Sequence, residues 1–220
     1  MTIVRNLGNF IKTSAVIRIA VGFVLTAGVL LLAGWLVTGP GRSYTAAFDG
    51  PIRSSIRQMQ SPLWTSLFLT VTKLGSTVYL TVIGSVIGIA FLYLRMFRPF
   101  VLFVIAMAGQ AILHNGAKFL IARPRPSAML SYPPIETFSF PSGHALSALC
   151  LYASAAWLTT NRLENSALKA GIWMITLLLV LLIGLSRVYI GIHYATDVLV
   201  GWIAAAIWTA TVVSTDHKQL

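Results

Sequence analysis

Apolar residues in this chain come in long unbroken runs rather than at the alternating or one-face spacing of soluble elements. About 20 consecutive apolar residues cross a bilayer core as a helix. Six segments reach or approach that length, roughly 16–37, 77–95, 99–121, 144–160, 168–186 and 194–214. They predict an all-α integral membrane protein with six transmembrane helices, folded as a single membrane-embedded domain over residues 1–220. Arg5, Lys12 and Arg18 precede the first run as in a secretory leader. That run is too long for a leader and no small-x-small cleavage site follows, so it reads as a retained span.

Residues 38–76 break the pattern. Gly39, Pro40 and Gly41 end the first span, and Arg42, Asp49, Arg53 and Arg57 make the next stretch polar. The run 63–74 is apolar but too short to cross. A short extracytoplasmic helical segment, lying on the surface or partly inserted between the first two spans, is predicted there. Gly84 and Gly88 form a small-xxx-small pair in the second span, for which close helix packing suffices. Trp64, Trp157 and Trp208 fall near span ends, where interfacial anchoring suffices.

Composition confirms the class and narrows the partners. Hydrophobic residues make up 57% of the chain and charged residues 10%, where soluble domains carry about 25% charged residues. A mean hydropathy of +0.82 excludes a water-soluble globule and a disordered chain alike. Lys and Arg number 16 against 5 Asp and Glu, a net charge of +11. These cations are scattered between apolar runs and form no contiguous basic face, so nucleic acid is excluded as a partner. An anionic membrane surface or a phosphorylated lipid fits better. Cys150 is the lone cysteine, so no intrachain disulfide forms. Counting cations beside the spans gives eight on each side. With Lys118, Arg125 and Arg187 assigned to a site, eight remain against five, which favours cytoplasmic termini.

Three clusters carry candidate chemistry, and the alternation of spans brings all three to one face of the membrane. They are KFLIARPRP from Lys118 to Pro126, FPSGH from Phe140 to His144, and SRVYIGIHYATD from Ser186 to Asp197. His193 and Asp197, four residues apart, share a face at a helix start. Asp197 can fix the imidazole tautomer and leave the other nitrogen basic, as a nucleophile or general base requires. Lys118, Arg125 and Arg187 supply fixed positive charge, and arginine forks match phosphate oxygens. Ser142 is a plausible N-cap, Gly143 lets backbone approach a ligand, and amides at that helix start favour an anion. His144 sits within reach as a general acid.

Each piece alone has an ordinary explanation: snorkelling for a terminal cation, helix-end stabilisation for the His193–Asp197 pair, interfacial burial for His144. The ordered set of three on one face does not. Together they suit phosphoryl transfer to His193, with His144 protonating the departing alcohol and water completing hydrolysis. No HExxH, DxD or carboxylate cluster is present, so neither a metal nor another cofactor is expected. Arg123, His114 and Glu136 have no role the sequence demands. Arg123 could help with a second phosphate, and Glu136 could meet a headgroup or solvent. Asp216, His217 and Lys218 read as a solvated tail.

Lys118-x6-Arg125-Pro126, then Pro141-Ser142-Gly143-His144, then Ser186-Arg187-x5-His193-x3-Asp197, resembles the full tripartite motif of the type 2 phosphatidic acid phosphatase superfamily. The six-span pattern resembles its bacterial membrane-embedded lipid phosphatase branch. The resemblance implies His193 as the phosphorylated nucleophile, Asp197 as its partner and His144 as the acid. It implies Lys118, Arg125, Ser142, Gly143 and Arg187 as phosphate-binding residues. It further implies a hydrolase of the inner (plasma) membrane with its site on the extracytoplasmic face. Undecaprenyl pyrophosphate, phosphatidylglycerophosphate, phosphatidic acid and lipid A phosphate are all compatible substrates, and the short chain favours the first. The alternatives are a lipid phosphotransferase, in which an alcohol replaces water, and a non-catalytic phospholipid transporter.

Overall fold

The computed structural model describes residues 13–128, 130 and 136–216. Arg5, Lys12, His217 and Lys218 lie outside them. Among the described residues eight helices follow one another: α1 (Thr13–Thr38), α2 (Arg42–Gln58), α3 (Pro62–Val71), α4 (Thr77–Tyr93), α5 (Phe97–Ile121), α6 (Gly143–Thr160), α7 (Ser166–Ile190) and α8 (Ala195–Val213). A 3-10 turn, Thr72–Gly75, joins α3 to α4. No strand occurs among the described residues.

Helices α1, α5, α7 and α8 are long and apolar enough to cross a membrane. The pair Pro62–Gly75 and Thr77–Tyr93 makes a fifth crossing if it is one span, bent by 52°. The run 63–74 abuts the α4 run across this bend. Ser76, with extended backbone, breaks the helix between them. Helix α6 is 18 residues long yet falls outside the apolar set, and its position explains why. It is the central helix, packed against α5, α7, α8 and the 3-10 turn. Its buried faces meet protein, so Ser154 and Thr160 can be enclosed there where a lipid-facing helix would need apolar side chains.

Local sequence sets the helix ends. Ser61 caps α3 by accepting from Trp64 N, with Pro62 at the first helical position. Asn165 caps α7 through Leu168 N at 3.0 Å. Gly191, at φ 84°, takes the left-handed conformation that closes α7. That helix runs on to Ile190, a turn beyond the expected 186, and so carries Ser186 and Arg187 in its last turns instead of leaving them in a connection.

The core lies between α1, α5, α6 and α8. Trp208 is its largest fully buried side chain and donates to Ala106 O at 2.8 Å, so it is a core residue and not an interfacial anchor. A Cβ at Gly109 would stand 2.1 Å from the Trp208 ring, so only glycine allows this approach. The outer faces of α1 and α7 expose Val24, Leu32, Met174 and Ile175, the contiguous apolar surface that lipid covers. Asp216 is buried and paired with Arg98 and Arg162, so it belongs to the packed bundle and not to a solvated tail.

Candidate active site

Two turns and two helix starts build the site. Helix α5 ends with Lys118 in its last turn and Ala122 at φ 48°. Left-handed backbone costs a residue with a Cβ about 1 kcal/mol, and here it sends Arg123 inward immediately after the helix. After the Gly191 cap, the chain delivers His193, then Tyr194 as the N-cap of α8 and Asp197 as its third residue.

His193 is 4% exposed. Its Nε2 lies 3.0 Å from Arg125 Nη1, and its Nδ1 stands 3.5 Å from Asp197 Oδ2. The second distance is longer than a formed hydrogen bond. The same Oδ2 accepts from Tyr194 N at 3.0 Å, which closes the start of α8. Arg125 is further fixed by donating to Ile192 O at 2.9 Å and to Thr137 O at 2.7 Å. Burial, opposed by Asp197 and assisted by Arg187 and Arg125, pushes the His193 imidazole from its ordinary 6.5 down to about 4.

The other expected residues gather around this pair. The charges that bear on His144 are those of Arg187, His193, Lys118 and Arg125, and those on Lys118 include Arg125, Asp197 and Arg187. Lys118 Nζ donates to Phe138 O at 3.0 Å, and Arg187 Nη1 donates to Thr72 Oγ1 at 2.7 Å. Gly75, in the turn that carries Thr72, lies against His144 and Ile183. The break in the α3–α4 pair thus forms one wall. Ser142 N donates to Asp197 O at 3.1 Å, tying the two helix starts together. Ser142 occupies the N-cap position, but its side chain makes no cap hydrogen bond, and its Oγ is buried without a partner among the described residues. Gly143 has a reason the sequence did not reveal: a Cβ there would stand 2.7 Å from His114 Nε2.

Sequence reasoning missed a buried charge network behind the site. Arg123, 7% exposed, donates through Nη1 to Asp197 Oδ1 at 2.5 Å and through Nη2 to Asp49 Oδ2 at 3.1 Å. Its guanidinium carbon lies 4.0 Å from the centre of the Tyr194 ring. Arg123 is thereby engaged with carboxylates, not presented to a second phosphate. The signal was available in Asp49, an acid in register with Ile52 and Ile56 on the apolar stripe of an amphipathic segment. Glu136 is exposed. Among the described residues no three His, Cys, Asp or Glu side chains are placed to hold a metal ion.

A groove of about 740 Å³ runs between α4 and α5. Thr77 and Ser147, at its near end, are close in sequence to Gly75 and His144; Gly88, Leu92 and Phe100 line it farther along. Gly84 and Gly88 face Leu151 and Phe100 respectively and form part of its wall.

Residues 99–220 match the PAP2 superfamily. The chain belongs to that family. Over 174 residues it is 28% identical to phosphatidylglycerophosphatase B of Bacillus subtilis, covering 77% of this chain and 84% of the relative. Over 110 residues it is 28% identical to an undecaprenyl-diphosphatase of Sulfolobus acidocaldarius, covering 46% of this chain and 47% of the relative. The crystal structure of a transmembrane PAP2-type phosphatidylglycerolphosphate phosphatase from Bacillus subtilis superposes with a TM-score of 0.77 at 25% identity. It covers 90% of this chain and 97% of that one. This PAP2 protein is accordingly a multi-pass membrane protein whose named relatives are phosphatases.

Proposed function

We propose that this protein hydrolyses a membrane-anchored phosphate ester or pyrophosphate through a phosphohistidine at His193. The observation that carries the reading is the placement of His193 between Arg125 on Nε2 and Asp197 on Nδ1. A guanidinium only donates, so Nε2 holds the lone pair and the proton rests on Nδ1 toward Asp197. With its pKa at about 4, the imidazole is neutral and nucleophilic at neutral pH.

The substrate phosphoryl group meets Lys118, Arg125 and Arg187, and charge developing on its oxygens is met by these cations and the amides at the start of α6. Nε2 forms a bond to phosphorus as the bond to the leaving oxygen breaks. His144 gives that oxygen a proton, releasing the lipid alcohol, or the lipid monophosphate from a pyrophosphate. His144 then takes a proton from water as the water oxygen attacks phosphorus, which frees inorganic phosphate and restores His193. Fixed cations do the work of charge neutralisation that a metal would otherwise do.

The groove between α4 and α5 suits a lipid chain whose headgroup is at His144. Counting the bent α3–α4 pair as one span and α6 as a protein-lined one gives six crossings within a single domain. The bias of cations toward the side of the termini supports cytoplasmic termini and a site on the extracytoplasmic face of the plasma membrane. The longer match to phosphatidylglycerophosphatase B makes phosphatidylglycerophosphate the first lipid to assay, ahead of undecaprenyl pyrophosphate and phosphatidic acid.

The test is phosphate release by detergent-purified protein from these three lipids in EDTA, with phosphorylated acceptor measured alongside. Free phosphate is expected from at least one lipid, and His193→Ala is expected to abolish it while eluting like the parent protein. Binding without release, transfer to an alcohol in place of water, or activity that EDTA removes and a divalent metal restores would each contradict the proposal.

A further inference from the structure

Helix α2 docks through Ile52 and Ile56 onto Ala145, Val188 and Val198, residues of three different helices that carry the site. Asp49 is the buried residue of this helix, 4% exposed. A carboxylate on a docking stripe costs several kcal/mol to desolvate, and apolar packing alone does not require it. Its bonds show where it is spent. Asp49 Oδ1 accepts from Thr196 N at 2.9 Å, and Oδ2 accepts from Thr196 Oγ1 at 2.7 Å and from Arg123 Nη2 at 3.1 Å. The Thr196 hydroxyl in turn accepts from Arg123 Nη1 at 2.8 Å. Arg123 thus divides one positive charge between two carboxylates, Asp49 and Asp197.

We propose that Asp49, acting through Arg123, is a positioning residue that keeps Asp197 available to His193. This role rests on the reading of His193 as nucleophile and acts through charge. Two carboxylates on one guanidinium leave the network with a net negative charge beside the imidazole. That charge stabilises the positive imidazole formed as Nε2 attacks phosphorus. Without the Asp49 charge, Arg123 alone would neutralise Asp197, and the imidazole would lose its counter-charge. Arg53 gives α2 a second anchor at the same place. It donates to Gly191 O at 3.3 Å and to the Ser127 carbonyl, bridging the loops that carry His193 and Arg125.

Among the described residues, the charged and titratable groups that bear on His193 are His114 on α5, His144 on α6, Arg187 on α7, Asp197 on α8 and Arg125 on the loop after α5. Lys118 on α5 bears on Arg125, Asp197 and Arg187, and Arg123 and Asp49 stand behind Asp197. Attack requires neutral His193, so the acid limb of kcat/KM reports its protonation. Asp49→Asn removes a negative charge, disfavours imidazolium and moves the limb to lower pH. Arg123→Gln removes a positive charge and moves it to higher pH. Each displacement is expected to be about one pH unit.

The experiment measures kcat/KM against pH for phosphatidic acid in detergent micelles, with the parent protein, D49N, R123Q, D49E and H193Q. The ionisation of the lipid is common to all, so differences between limbs belong to the enzyme. D49N is expected to lose about 10–100-fold in kcat/KM, with its limb moved down. R123Q moves up, and D49E, which keeps the charge, retains the parent limb. The limb position does not depend on the fraction of folded enzyme, and R123Q decides the matter if D49N is not recovered. Coincident limbs in R123Q and any recovered D49N, whatever the loss of rate, would overturn the positioning role. Turnover in H193Q would instead overturn the nucleophile on which it rests.

Discussion

Two buried arginine–carboxylate knots close this bundle at opposite ends, and their stoichiometry is inverted. At the site end one guanidinium, Arg123, serves two carboxylates, Asp49 and Asp197. At the other end one carboxylate, Asp216, serves two guanidiniums. It accepts from Arg162 at 2.7 and 3.0 Å and stands 3.7 Å from Arg98 Nε, with Asn161 adding a bond at 3.4 Å. The far knot ties the end of α8 to the start of α5 and the end of α6, and its carboxylate is saturated by cations. The near knot leaves Asp197 with an oxygen turned toward an imidazole. Under the proposed mechanism, the same chemical pair is a fastener where cations are in excess and part of the reaction centre where carboxylates are.

Removing the carboxylate at each end is the sharpest way to break this contrast. Asp197→Asn is expected to lower turnover about 10³–10⁴-fold, as the loss of a histidine-orienting carboxylate does elsewhere. Asp216→Asn is expected to destabilise by about 2–4 kcal/mol, near the lower part of the range for a broken buried pair because its arginines retain some exposure. It should leave turnover per folded molecule unchanged. Phosphate release and detergent melting curves on both variants check this. Equal losses of turnover would erase the distinction.

Acid sharpens it next. The depressed His193 pKa means that the folded protein prefers the neutral ring. His193 thus contributes stability that is present above 6.5 and is lost as pH falls toward about 4. Melting temperatures measured across that window are expected to fall more in the parent than in H193Q. The smallest effect lies in the groove. A Cβ at Gly88 would meet the Phe100 ring at 3.5 Å, so Gly88→Val narrows the channel with little clash. KM is expected to rise several-fold for a long-chain lipid and to stay constant for a dioctanoyl analogue.

The amino-acid pattern was most legible where one physical demand dominates. The long apolar runs located α1, α5, α7 and α8 to within a turn, apart from the longer end of α7. The three motifs placed Lys118, Arg125, Ser142, Gly143, His144, Arg187, His193 and Asp197 at one end of the bundle. It was least legible where burial makes a residue belong to a partner far along the chain. Asp49 and Thr196 are 147 residues apart, and Asp216 and Arg162 are 54 apart. Asp216 looked like part of a solvated tail and Asp49 like one polar residue of a polar segment, because local sequence carries no record of which helix covers them. Lys73 and Gly75 made the run 63–74 read as closed before α4, although only the bend at Ser76 separates the two helices, and Trp208 looked interfacial because its partner Gly109 lies on another helix.

The proposed chemistry requires a covalent bond between phosphorus and His193, and trapping that bond tests it directly. Detergent-purified protein would be mixed with lipid carrying a radiolabelled phosphoryl group, quenched in alkali within the first turnover, and digested. Label stable to alkali, released by acid, and confined to the peptide containing His193 is the expected result. Label that resists acid, or that persists in H193A, would contradict it.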